Sequence, residues 1–459
     1  MFSKKIVLSL LLIPCYAIAS WNSSKHVFEK AKKSEKHYLL VNELLESGYY
    51  FSSLPLLKEY LVNDSKNLPK RMERNLSRAV QYVGLKQLES LPSKYLQRSF
   101  SETIAFVLAK KALNVGSLNE SLRFIKKISS DHFLYPYAKN LEGVLFARIG
   151  KNNEALNAFR ICENVSSSNS RNLQQNKDIC TAGIARIKFA MKAYNEADLL
   201  YLDIEKSSSI WPQILFEEAW NSFYQKNYNR TLGKLVSYKA PVFEYMFNPE
   251  VEVLTALSYM KLCLYSDAKK VASDFRDKYW NDFKTLNRLL KRYKKRYSNY
   301  YELALSFEQF GRSENRLILR LMGSISQENA YKDLKRQKVL AEQEMQKIRG
   351  ERNSRFKRFM VKNLEETIDS YRTLIGVYVK DRLLTYYTQL YKAFEGMSYI
   401  SLETLAQRKA KLYSFENKER SRGDVQYIER NEKQYFWDFN GEFWADELGD
   451  YVFALKSEC

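Results

Sequence analysis

The chain has 459 residues, 45% of them hydrophobic and 14% aromatic, with 15 Gly and 8 Pro. That composition favours helices, can bury a core and excludes global disorder, while the length calls for two or three domains or a repeat array. The formal net charge of +21 would point to nucleic acid in a cytosolic protein. The three His, at positions 26, 37 and 132, are not spaced with cysteines as zinc ligands are.

The first residues, "MFSKKIVLSLLLIPCYAIAS", place Lys4 and Lys5 before an apolar run that closes on Ala17-Ile18-Ala19. This is the order of a signal peptide over residues 1–19, with cleavage expected after Ala19 and export to the periplasm. The competing reading, a buried helix or membrane anchor from Ile6 to Ile18, needs a longer run. Pro14 before Cys15 departs from the small residue of lipid-attachment signals. No later stretch has the length and apolarity of a span, so no transmembrane anchor is expected after cleavage. Export turns the basic charge towards an anionic envelope surface or an acidic protein partner, and leaves nucleic acid the least favoured ligand. A eukaryotic secretory leader has the same layout, and Asn75-Leu76-Ser77 would then be a glycosylation acceptor.

From residue 20 to 280 the chain reads as repeated helical hairpins. The clearest is "LEGVLFARIGKNNEALNAFRICENV", with Gly143 and Phe146 on one helix face, Gly150 at the turn, and Ala155 and Phe159 on the next helix. Gly116 lies 34 residues before Gly150, and Gly48 lies 68 before Gly116, with "RAVQYVGLKQLESLP" between them as the missing copy. Downstream, Ala185, Ala219 and Ala256 hold the small position, and Tyr194, Tyr228 and Tyr265 enter the second helices at intervals of 34 and 37. Pattern and period resemble the tetratricopeptide repeat (TPR), which implies an all-α solenoid.

No proline follows Pro249, so residues 281–430 are expected to form long, coiled-coil-like helices. A charged stretch from Glu328 reads as an exposed helix. Two apolar stripes follow, Val361, Leu364, Ile368, Tyr371 and Ile375, then Val379, Leu383, Tyr386, Leu390, Ala393 and Met397. Each should bury against another helix, in a hairpin sooner than a dimeric coiled coil.

Three features are candidate sites. Removal of the leader leaves Cys162, Cys180, Cys263 and Cys459; the short separation of the first two favours that disulfide, which leaves Cys263 for Cys459. The run "KTLNRLLKRYKKRY" offers Lys284, Arg288, Lys291, Arg292, Lys294, Lys295 and Arg296 on a helix whose other face carries Leu and Tyr. It could lie on anionic membrane or an acidic partner, or simply face solvent. The tail, residues 431–459, has five acids and no base between Tyr435 and Tyr451. Trp437, Phe439, Trp444 and Tyr451 are costly to leave in water, so the tail is expected to dock on the chain's own basic stack, held by Cys459 to Cys263. Recruitment of another protein by a free tail is the alternative.

No Gly-rich phosphate loop, nucleophile elbow or histidine triad is present, and no cofactor is expected. Paired acids in the tail invite comparison with wall-cleaving helical-repeat enzymes, but no segment resembles their catalytic glutamate-serine stretch. The leader, the repeats, "FEEAWNSFYQKNYNRTLGKL" and "WDFNGEFWADELGDY" resemble exported TPR proteins of gliding and predatory bacteria. That resemblance implies a non-enzymatic periplasmic scaffold for protein-protein interactions in an envelope complex, including motility machinery. The alternatives are a peptidoglycan-binding or wall-remodelling protein and an anionic-lipid binder.

Overall fold

The computed structural model describes residues 12–31, 36–63, 68–166, 171–244, 246–311, 315–413, 428, 436, 439 and 441–459. Among the described residues the chain is helical, with no β-strand, and helices adjacent in sequence pack as pairs. It divides into two compact units, Met1–Lys151 with Asn329–Gly376, and Asn152–Glu328 with Val377–Cys459. The division falls in the turn of the segment that reads as the clearest hairpin, and each unit takes part of the long C-terminal helices.

In the first unit the helix Leu12–Lys30 runs through the expected cleavage point. Cleavage after Ala19 would leave Trp21 and Phe28 in the chain, and both rings lie against Phe356, at centroid distances of 4.7 and 5.3 Å. The helix Lys70–Val83 is followed only by the four-residue turns Lys86–Glu89 and Ser93–Leu96, so the expected extra copy has lost its second helix. Asn75 is buried and donates to Asn42 Oδ1 at 3.0 Å, which leaves no room for a glycan.

The helix Asn329–Arg349, expected to be exposed, buries Tyr331, Leu334, Ala341, Met345 and Ile348. Those positions recur in steps of three, four and seven, so the charges occupy the remaining surface of an amphipathic helix. The first stripe lies on the 59-residue helix Arg355–Tyr413. Leu364, Ile368, Tyr371 and Ile375 are buried, and Val361 is half-buried.

Polar groups of these two helices serve main-chain atoms at residues 51–52 and 83, at the ends of earlier helices. The Glu344 carboxylate accepts from Phe51 N, Ser52 N and Ser52 Oγ at 3.1, 2.9 and 2.5 Å. Asn363 donates to Ser52 O, Thr367 to Phe51 O and Tyr371 to Val83 O, at 3.0, 3.0 and 2.8 Å. An unpaired buried amide costs about 1–3 kcal/mol, so these contacts fix the register of the helices on the repeats.

In the second unit the disulfide Cys162–Cys180 joins the helices Asn152–Val165 and Arg171–Ala190. Phe159 packs against Gly183, its ring lying where a side chain there would start. The second stripe of the long helix is buried throughout. Phe394 meets Phe275 at 5.0 Å and Tyr386 meets Phe247 at 5.4 Å. Both stripes therefore share one helix, and in each unit earlier helices and loops supply covering contacts.

One turn recurs at the ends of six helices. Gly48, Gly116 and Gly150 have φ of 80–81°, and Lys192, Lys226 and Cys263 have φ of 57–64°, all in the left-handed region. At each, the residue's N–H reaches the carbonyl three back and the next N–H reaches the carbonyl five back. Gly150 N donates to Ala147 O and Lys151 N to Phe146 O; Lys226 N donates to Phe223 O and Asn227 N to Ser222 O. This Schellman closure satisfies two carbonyls that the helix end orphans.

Two expectations follow. A left-handed L-residue costs about 1–2 kcal/mol, more than the chain entropy of about 0.5–1 kcal/mol that glycine adds. Lys226→Gly should therefore raise stability in urea unfolding by about 0.5–1 kcal/mol; a loss would contradict the closure.

Burial pushes the Glu344 carboxyl above its ordinary value of 4.5, against the opposing pull of the Ser52 and Phe51 donors. The folded chain holds this proton to higher pH than the unfolded chain, so the penalty is absent below 4.5 and grows as pH rises through the folded value. Wild-type stability relative to Glu344→Gln should fall as pH rises above 4.5, measured by urea unfolding at each pH; a flat difference would contradict it.

Candidate functional site

The C-terminal tail lies across three consecutive helices of the second unit, Trp211–Tyr224, Tyr228–Val236 and Glu250–Lys261. Its anchor is Leu448, 6% exposed, set among Trp211, Leu215, Ala240 and Phe243. Gly449 follows at φ 92°, with its N–H on Ser237 Oγ at 2.9 Å. A side chain there would start 3.2 Å from Leu215.

Beyond Gly449 the chain carries Phe453 and Leu455 onto Leu232, Leu262 and Leu264. Residues 451, 453 and 455 alternate with 452 and 454 as on a strand, and the amides of Phe453 and Leu455 turn to the helices. Phe453 N donates to Asn229 O at 3.2 Å. The Asn229 side chain pairs with both main-chain groups of Leu455, accepting from its N at 3.1 Å and donating to its O at 3.0 Å. Glu458 N reaches Leu262 O at 2.9 Å, and Cys459 is bonded to Cys263. By the loop-entropy account this closure contributes up to about 5 kcal/mol.

Gly233 makes the approach feasible. The Tyr451 carbonyl and Val452 N lie where its Cβ would be, the latter at 2.7 Å. Behind this surface Glu218 and Lys234 form a buried ion pair at 3.2 Å. Burial pushes the Glu218 carboxyl up, with Lys234 opposing the shift.

The placement corrects two of the expected anchors. Trp444 is 59% and Phe439 53% exposed. Phe439 meets Phe443 and Tyr451 at the rim, at 5.2 and 5.6 Å, while Tyr451, half-buried, packs against the Leu448 cluster as expected. Trp437 lies outside the described residues. Leu448, Gly449, Phe453, Leu455 and their receptor Gly233 carry the docking together with Tyr451. Charge contributes little here, because the Lys206–Asp450 pair at 2.9 Å is exposed and such pairs are worth about 0–1 kcal/mol. Lys206 also donates to Asp446 O.

The basic run lies at the end of the helix Tyr265–Tyr293 and in the turn that follows. Phe283 and Leu286 are buried, while Lys284, Arg288, Lys291, Arg292, Lys294, Lys295 and Arg296 are all exposed. Among the described residues none of these seven pairs with a carboxylate; Lys284 stands over the Trp280 ring at 4.7 Å. No group of metal-ligating side chains and no helix long and apolar enough to cross a membrane occurs among the described residues. No protein-family profile matches the chain, and no curated protein matches it either.

Gly233→Ala is a selective probe, because alanine strengthens the helix by about 1 kcal/mol while its methyl excludes the tail. Chymotrypsin should cut after Tyr451 and Phe453 at least about tenfold faster in this variant, as cleavage follows the open population. Unchanged cutting would contradict the docked geometry.

Proposed function

We propose that the chain is an exported, non-enzymatic scaffold of TPR type that holds protein partners in an envelope complex. The observation that carries the reading is the shared Schellman turn closing successive helix pairs, at residues 116 and 150 and again at 192 and 226, 34 residues apart in both cases. Within a unit, stacked pairs of this kind present side chains along one surface and bind by shape and main-chain contact. The leader-like first residues and two disulfides support the periplasm, since such bonds persist in oxidising compartments. A role in motility machinery rests on the sequence resemblance alone.

A second reading, contact with an anionic lipid surface, is favoured by the seven exposed cations, of which Lys284 stands over the Trp280 ring. Neutralising Lys291, Arg292, Lys294 and Lys295 should abolish sedimentation with anionic vesicles at low salt if that reading holds.

Crosslinking in the native cell followed by pull-down tests the scaffold directly. Envelope proteins enriched above background are expected, and none would contradict it. Incubation with purified sacculi separates the wall-remodelling alternative, which requires retention or release of muropeptides.

A further inference from the structure

We propose that the surface formed by Trp211–Tyr224, Tyr228–Val236 and Glu250–Lys261 is a binding site for an extended segment of a partner protein, and that the chain's own tail is its tethered competitor. The inference deepens the scaffold reading by naming one surface and its ligand, an apolar residue, Gly, an acid, then Tyr-x-Phe-x-Leu. Three observations define that chemistry. The apolar seat takes Leu448, and Phe453 and Leu455 cover a second cluster. Asn229 reads the amide and carbonyl of one residue, as a neighbouring strand would, which selects extended backbone whatever its side chains. Gly233 admits only a chain that passes against the bare helix.

The tether sets when the site is free. Cys162 and Cys180 are fully buried, whereas Cys459 is exposed and Cys263 half-buried. A dithiol therefore reaches the second bond first. Its thiolate attacks the Cys459 sulfur, Cys263 leaves as the thiolate and takes a proton, and the second thiol of the reductant closes a cyclic disulfide and frees Cys459. Two electrons and two protons end on the two cysteines. The tail stays joined to the chain, so it still competes at high effective concentration, and a clean test also weakens its own side chains.

The test uses the full chain and a fluorescein-labelled peptide of residues 441–459 with Cys459→Ser, followed by anisotropy. Four proteins are compared: oxidised wild type, wild type treated with dithiothreitol, a tail-weakened chain (Leu448→Ala, Phe453→Ala, Cys459→Ser), and that chain with Gly233→Ala. Circular dichroism checks that helicity is equal. Saturable binding is expected for the tail-weakened chain, at least tenfold weaker for oxidised wild type and for the Gly233→Ala chain, with the dithiothreitol-treated protein between. No saturable binding by the tail-weakened chain, or equal binding with Gly233→Ala, would overturn the proposal. Partners recovered by crosslinking despite that result would leave the scaffold reading standing and remove only this surface from it.

Discussion

Main-chain amides that leave a helical ladder inside a protein must find another partner, and the described structure meets that requirement in three ways. Six helix ends close on themselves through left-handed Schellman turns. In the first unit, side chains of the later helices reach back to the loop at residues 51–52, with Glu344, Asn363 and Thr367 serving donors and acceptors alike. In the second, an extended segment with no ladder of its own takes its bonds from Asn229, Ser237 and Leu262. Apolar burial supplies the driving force, but these bonds decide which segment lies where.

The helical architecture was legible where side-chain type and backbone demand coincide. Gly48, Gly116 and Gly150 announce their turns because glycine is the usual answer to positive φ. Lys192, Lys226 and Cys263 occupy the same conformation unseen, since the closure is made of main-chain bonds that any residue can form at a cost. The stripe from Leu364 to Met397 was readable from its steps of three and four. Its covering surface was not, because periodicity marks a buried face without naming its partner.

For the tail, the requirement for a covering surface and the cysteine pairing were legible, from apolar area and from spacing. The anchors were not. Ring size favoured Trp444 and Phe439, yet a close main-chain approach favours Leu448 and the alternating Phe453 and Leu455, whose period-two signal was available in "YVFAL". Gly233 carried no recognisable signal, since a glycine within a helix reads as a small packing residue until the opposing backbone is known. Charge misled for a physical reason, as exposed opposite charges across water-filled space attract only weakly.

Helix pairs of the second unit give a surface that holds extended backbone, and the proposed scaffold function rests on that surface. Residue-resolved amide exchange on the oxidised chain tests that core most directly. Phe453 and Leu455 N–H are bonded to Asn229, so the account predicts slow exchange at these two positions, alternating with fast exchange at Val452 and Ala454. Uniform exchange along residues 449–458 at free-peptide rates would contradict it.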